Sequence, residues 1–225
     1  MSHDIAINGD NAVALAWKQI DPDVCAAYPI TPQTIIVEKF AEYVANGEVS
    51  TEFVCVESEH SALTLCTSSC SAGARTFTAT ASQGLAYMWE MLPITAAMRT
   101  PLIMAVANRA VSGPININND HSDSMGIRDA GWIQLYAENN QEALDLALMA
   151  YAVAEDPRVS LPVMVNVDGF ALTHTYESVE VPTADEADAF LPPYRTANKF
   201  DFENPVNIGY SAGPDFNRYY QYWHH

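Results

Sequence analysis

Short apolar runs alternate along this chain with longer stretches in which apolar positions recur every three or four residues. The runs at 24–28, 53–56, 75–80, 102–107, 132–136 and 161–167 have strand length and read as buried strands. Asp10 caps a helix that carries Val13, Trp17 and Ile20 on one side and ends at the Asp21-Pro22-Asp23 turn. Pro29-Ile30-Thr31-Pro32 breaks the first strand. Thr31 with Pro32 behind it forms an N-cap and first-turn pair for a helix bearing Ile36, Phe40 and Val44, which stops near Gly47. Glu57-Ser58-Glu59 opens a helix of small residues through Ser71. Ser82-Gln83-Gly84 is a turn ahead of a helix at 85–98, and Asn140 caps a helix through Leu144, Leu148 and Tyr151. Periodicity fades between 110 and 123, which reads as a long loop.

Strands separated by helical crossovers predict an α/β fold. Its sheet is doubly wound and mostly parallel, with helices on both faces. Residues 1–176 carry this pattern. From Glu177 the chain turns acidic and proline-rich, with Pro182, Pro192, Pro193, Pro205 and Pro214, so 177–225 reads as an extended arm leading toward a second domain. No internal repeat is evident.

Composition narrows the function. The 225 residues are 49% hydrophobic, enough for a real core without disulfide or metal staples. There are 28 Asp and Glu against 10 Lys and Arg, a formal charge of −18 that repels phosphate and so speaks against nucleic acid and anionic lipid as partners. No basic-then-apolar leader follows Met1, and no apolar run reaches the ~18 residues of a membrane span. The four cysteines are Cys25, Cys55, Cys66 and Cys70. Cys25 and Cys55 lie in strand-like runs where free buried thiols are usual. Cys66 and Cys70 could share a helix face, but no further ligands complete a zinc or iron–sulfur pattern. A reducing cytoplasm is the expected setting, and no metal site is expected on this chain.

In open parallel sheets, ligands sit beyond the carboxyl ends of the strands. Here those ends carry Tyr28-Pro29-Ile30-Thr31, Glu57-Ser58-Glu59-His60, Ala81-Ser82-Gln83-Gly84 and Asn108-Arg109. One sheet edge therefore gathers a hydroxyl, carboxylates, an amide and a guanidinium. Each also has a plainer use: Thr31 as a helix cap, Glu59 as a complement to the helix dipole, Arg109 as a salt-bridge partner. Asp120-His121-Ser122-Asp123 has the residue types of a hydrolytic triad, but adjacent residues cannot form that geometry, so His121 reads as a loop or interface histidine. No GxxxxGK[ST], GxGxxG or HExxH is present.

Taken in order, these segments resemble the α subunit of the 2-oxoacid:ferredoxin oxidoreductases, most closely the pyruvate members. The resemblance runs through Ala27-Tyr28-Pro29-Ile30-Thr31-Pro32-Gln33-Thr34, Val56-Glu57-Ser58-Glu59-His60-Ser61-Ala62 and the stretch from Gly73 to Gly84. It resumes at Ala107-Asn108-Arg109-Ala110, Asn119-Asp120-His121-Ser122-Asp123-Ser124, Leu161-Pro162-Val163-Met164-Val165 and Asp168-Gly169-Phe170, reaching to about Pro214. One departure is Asn118, where relatives often carry an aromatic residue.

The resemblance implies the pyrimidine-binding half of a thiamine diphosphate site. Glu59, rather than Glu57, would hydrogen-bond the protonated ring nitrogen of the aminopyrimidine and favour the imino tautomer that removes the reactive proton. It implies cofactor contacts from Pro29 and Thr31, and contacts to the 2-oxoacid carboxylate from Thr31 and Arg109. It implies oxidative decarboxylation of pyruvate to acetyl-CoA and CO2, with electrons passed through iron–sulfur clusters to ferredoxin. The chain would be incomplete alone: a β subunit would supply the pyrophosphate and Mg2+ half-site, and another subunit the clusters. The alternatives left open are a branched-chain 2-oxoacid enzyme and a truncated, non-catalytic assembly partner. Relatives continue into a further domain, so the ending at Tyr222-Trp223-His224-His225 is expected to mark a fragment.

Overall fold

The computed structural model describes residues 3–196, 198–205 and 208. In chain order the elements are β1 (His3–Ile7), α1 (Gly9–Ile20), β2 (Val24–Ala27), α2 (Thr34–Ala45), β3 (Glu52–Cys55), α3 (Glu59–Ser71), β4 (Thr76–Thr80) and α4 (Ser82–Tyr87). There follow α5 (Met91–Ala97), β5 (Ile103–Asn108), α6 (Ser122–Gly126), β6 (Ile133–Tyr136), α7 (Asn140–Ala154), β7 (Val163–Asp168), β8 (Glu177–Val181) and α8 (Ala184–Phe190).

Six strands form one parallel sheet in the order β3-β2-β4-β5-β7-β6. Strand pleating sends successive side chains to opposite faces, which sorts the interior into two cores. Cys25, Ala27, Phe77, Ala79, Ile103, Ala105, Val163 and Val165 pack against α1, α2 and α7. Their neighbours Ala26, Met104, Val106 and Met164 pack against α3, α4 and α5. The first core centres on aromatic contacts, with Trp17 4.1 Å and Phe40 4.7 Å from the Phe77 ring. Helices thus cover both faces, as the alternating pattern predicts. The chain leaves β2 for β3 on one side and β4 for β5 on the other, so a crevice opens at the carboxyl ends of these two neighbours.

Local details depart from the sequence reading where a side chain finds a better partner. Asn8, not Asp10, caps α1 by accepting from the Asn11 N–H at 2.9 Å. Likewise Asn139 caps α7, which frees Asn140 to bond the carbonyls of Ile7 and Thr175. Thr31 caps nothing: α2 begins at Thr34 behind Gln33. The helix expected at 85–98 starts earlier, at Ser82, and breaks into α4 and α5. Cys55 is exposed at the end of edge strand β3, whereas Cys25, Cys66 and Cys70 are buried. Burial pushes the Cys66 and Cys70 thiols up to about 12, which keeps them protonated and unreactive.

The segment expected as an extended arm begins differently. Glu177–Val181 pairs antiparallel with β1, a strand missing from the sequence reading, and Val179 and Val181 enter the first core. Both strands are short and half polar, so their sequences read as acidic surface. A Thr183–Glu186 capping box then starts α8. Beyond it the chain crosses the amino-terminal edge of the sheet, where Arg75 pairs with Glu155 and bonds the Pro192 carbonyl, and the Phe200 N–H bonds the Ser71 carbonyl. Pro214 and Tyr222 to His225 lie outside the described residues. Among those described, no helix is long and apolar enough to cross a membrane.

Asp10 is fully buried in the first turn of α1, and neither carboxyl oxygen has a hydrogen-bond partner among the described residues. Burial raises its pKa well above the usual carboxylate range. The folded state therefore holds this proton more tightly than the unfolded state does. The stability it contributes is full below the ordinary carboxylate pKa and lost as pH rises toward the raised value. Asp10→Asn should unfold at a higher temperature than the parent near pH 8, with the difference vanishing near pH 4. A thermal-unfolding series across that range checks it; a constant difference would show that Asp10 does not titrate on folding.

Candidate functional site

The turn after β2 is held by Gln33. Its buried amide accepts from the Ile30 N–H at 3.1 Å and donates to the Ala79 carbonyl of β4 at 2.7 Å. The turn is thereby fixed to the neighbouring strand, while Tyr28, Pro29 and Thr31 face outward at the crevice. Gly169 closes the other side. Its N–H bonds the Asn108 carbonyl at 3.0 Å, and a Cβ on it would lie 2.2 Å from that oxygen and 3.2 Å from Pro32 Cγ. The ends of β2, β5 and β7 can meet only because this residue has no side chain.

The two candidate carboxylates separate cleanly. Glu57 is exposed and accepts from the Ser61 hydroxyl at 2.8 Å, a bond that lowers its pKa. Ser58 caps α3 by accepting from the Ser61 N–H, which turns Glu59 inward as the first residue of the helix. Glu59 is 8% exposed, and no described residue donates a hydrogen bond to its carboxylate. It lies against Gly84, where a Cβ would stand 2.8 Å from Glu59 Oε1 and 2.5 Å from Thr80 Oγ1. The Thr80 hydroxyl is also buried without a partner among the described residues.

Arg109 follows β5 and is 3% exposed. Nη1 donates to the Thr31 carbonyl at 2.7 Å and Nη2 donates to Gln83 Oε1, while Nε is buried without a partner among the described residues. Burial lowers the guanidinium's pKa, and the nearby Asp123 carboxylate counters it. Asp123 is itself buried and accepts from the N–H groups of Ser82 and Arg109 on Oδ2, each at 3.0 Å. Its Oδ1 accepts from Asn108 Nδ2 at 2.9 Å and from the Ser124 N–H at 2.7 Å.

Thr31, Gln83 and Arg109 are therefore brought together, and the dipeptide Gln83-Gly84 touches both charged groups: Gln83 grips Arg109, and Gly84 floors Glu59. Among the described residues, the arrangement presents an unpartnered carboxylate suited to an N–H donor, and a guanidinium with unused donors suited to a carboxylate. His121 stands apart, half exposed and 3.8 Å from Asp168, and the Ser122 hydroxyl accepts from the Val111 N–H, so these residues form no triad. Gln33, Gly84 and Asp123 were not singled out from sequence. Each left a trace only as part of a quoted segment: Gln33 after Pro32, Gly84 in Ser-Gln-Gly, and Asp123 in the Asp120-His121-Ser122-Asp123 run. Among the described residues, no group of three or more His, Cys, Asp or Glu is placed to hold a metal ion.

The family profile described as "Pyruvate flavodoxin/ferredoxin oxidoreductase, thiamine diP-bdg" matches residues 15–224. The chain is 56% identical over 210 residues to the pyruvate synthase subunit PorA of Methanocaldococcus jannaschii, covering 93% of this chain and 54% of that protein. It is 55% identical over 209 residues to the PorA subunit of Pyrococcus furiosus, covering 92% and 53%. Against the ketoisovalerate oxidoreductase subunit VorA of Pyrococcus furiosus it is 48% identical over 220 residues, covering 96% and 54%. The chain thus spans about half the length of the curated relatives it matches. Among solved structures, the 2-oxoglutarate:ferredoxin oxidoreductase from Magnetococcus marinus superposes with a TM-score of 0.79 over 98% of this chain and 44% of that one. At 19% identity this likeness shows the fold.

Gly84→Ala should drive either α4 or the Glu59 side chain out of place, because its Cβ meets two polar atoms below ordinary contact distance. The expected cost is about 1–3 kcal/mol of folding stability. Denaturant unfolding measures it, and a change under about 0.5 kcal/mol would mean that the floor beneath Glu59 is not tight.

Proposed function

The chain belongs to the pyruvate flavodoxin/ferredoxin oxidoreductase family, in its thiamine diphosphate-binding part, and we propose that it forms the pyrimidine side of that site in the α subunit of a pyruvate:ferredoxin oxidoreductase. The observation that carries this reading is Glu59: a largely buried carboxylate with no donor among the described residues, set on a glycine floor beside a fixed guanidinium. Such a carboxylate fits a heterocycle that offers a ring N–H.

When bound, thiamine diphosphate supplies an acidic carbon that adds to the 2-oxo group and a sink for the electrons released on decarboxylation. Glu59 would hydrogen-bond the pyrimidine ring nitrogen and so favour the tautomer that acts as base. Pro29 and Thr31 on the Gln33-braced turn would border the ring. Arg109 pairs with the substrate carboxylate through its unused N–H groups and so orients the 2-oxo carbon. Its guanidinium cannot swing away, because Thr31 and Gln83 hold two of its donors.

Pyruvate is favoured over a branched 2-oxoacid because PorA subunits reach 56% identity to this chain against 48% for the VorA subunit, although the PorA of Methanosarcina barkeri stands at 47%. The product is then acetyl-CoA, with CO2 released and electrons passed to ferredoxin. The subunit names of the relatives support a heteromer, in which a β subunit brings the pyrophosphate and Mg2+ half-site and a further subunit the iron–sulfur clusters. The thiols here support placing the clusters elsewhere, since three are buried and Cys66 donates to the Phe77 carbonyl. Cytoplasmic enzyme chemistry of this kind also fits the acidic surface.

In the assembled enzyme, carrying the full-length subunit, Glu59→Gln should lower coenzyme A-dependent viologen reduction by about 10²-fold or more. Assembly should be intact. Near-normal turnover would remove Glu59 from the proposal. Arg109→Ala should raise the KM for pyruvate by about 10- to 100-fold, as expected for losing a charge-assisted contact. Substituting a branched 2-oxoacid for pyruvate in the parent enzyme tests the substrate class: faster reduction with the branched acid would reverse it. An assembled complex without reduction on any 2-oxoacid would instead favour a non-catalytic partner.

A further inference from the structure

Asp123 lies in a segment that the sequence presents as a polar loop, yet its carboxylate is 4% exposed and takes four N–H donors, two on each oxygen. No cation's side chain bonds it among the described residues, so hydrogen bonds carry its burial. The two donors on Oδ2 have a common destination. One is the backbone N–H of Arg109 itself. The other is the N–H of Ser82, which sits at φ +47 and starts α4. The next residue, Gln83, is the one that holds Arg109 Nη2.

We propose that Asp123 is a positioning residue for substrate binding, setting the Arg109 guanidinium from both ends through the Ser82 and Arg109 amides. This rests on the reading of Arg109 as the group that meets the 2-oxoacid carboxylate. The charge matters because an ionised carboxylate has acceptor sites on both oxygens, whereas an amide has them on one. In Asp123→Asn, either orientation of the side chain points an NH2 at two N–H donors. One orientation strips the acceptor from Ser82 and Arg109, and the other sets the NH2 against Asn108 and Ser124, which displaces the side chain and loosens the same anchor.

The test uses the assembled enzyme with pyruvate and coenzyme A varied separately. Asp123→Asn should raise the KM for pyruvate about tenfold, with kcat within about threefold and the KM for coenzyme A unchanged. Combined with Arg109→Ala, it should add little further to the pyruvate KM, because both act on one contact. In an assembled variant, a purely structural role would lower kcat without the selective KM change, and would add fully to Arg109→Ala; either result overturns the proposal. If Arg109→Ala itself leaves the pyruvate KM unchanged, the substrate reading fails and Asp123 falls with it. If Arg109→Ala raises KM and Asp123→Asn does not, only the Asp123 role fails. Should Asp123→Asn not assemble, Gln83→Met takes its place, removing the acceptor at Arg109 Nη2 at similar length. A raised pyruvate KM then supports the route through Ser82 and Gln83, and an unchanged one overturns it.

Discussion

The carboxyl ends of β4 and β5 converge on one buried carboxylate. Parallel strands end side by side with backbone N–H groups that no further strand satisfies, and leaving such groups buried and unpaired costs about 1–3 kcal/mol each. Asp123 takes up two of them, from Ser82 and Arg109, and ties them to α6 through its own neighbour Ser124. Asn108 extends the network to Asn166 of β7. What looks from outside like a loop is, at this point, the joint between three strands and two helices.

This joint explains how a strongly acidic chain keeps an arginine almost out of water. Desolvating a guanidinium is costly unless its donors are met. Arg109 meets part of that demand with neutral acceptors, the Thr31 carbonyl and the Gln83 amide, and leaves the remainder available. A nearby carboxylate bonded directly to the guanidinium would saturate it. Asp123 instead bonds the backbone, so it supplies negative potential without occupying the guanidinium's own donors. On the other side of the Gln83-Gly84 dipeptide, Glu59 shows the complementary condition, a buried acceptor without a donor among the described residues. Both groups are incomplete among the described residues, Arg109 gripped by the Thr31 carbonyl and the Gln83 amide and Glu59 lying against Gly84.

Much of this architecture was legible in the sequence. The six parallel strands and the helices on both faces follow from hydrophobic periodicity, the α/β rule places the candidate site at the strand ends, and Glu59, Thr31 and Arg109 sit on that edge. The caps were less legible: Asn8 and Asn139 displace the neighbouring Asp10 and Asn140, because neighbouring polar residues compete for the same helix end and only packing decides which one turns inward. The β1–β8 pair was not legible, since each strand is short, half polar and stabilised by a partner about 170 residues away. Thr31 was read for its side chain, but it is its carbonyl that meets Arg109.

By itself the sequence determined the layer structure, because strand and helix periods are local properties of the apolar pattern. It also determined the residue types available at the sheet edge. Which of Glu57 and Glu59 faces the crevice was decided by the tertiary structure, where the Ser58 cap sets the rotation of α3 and Gly84 of another element leaves room for one carboxylate. The same holds for Asp123, Gln33 and Gly169. Their importance lies in bonds and close approaches between segments distant along the chain, and such distances come into being only when the sheet closes.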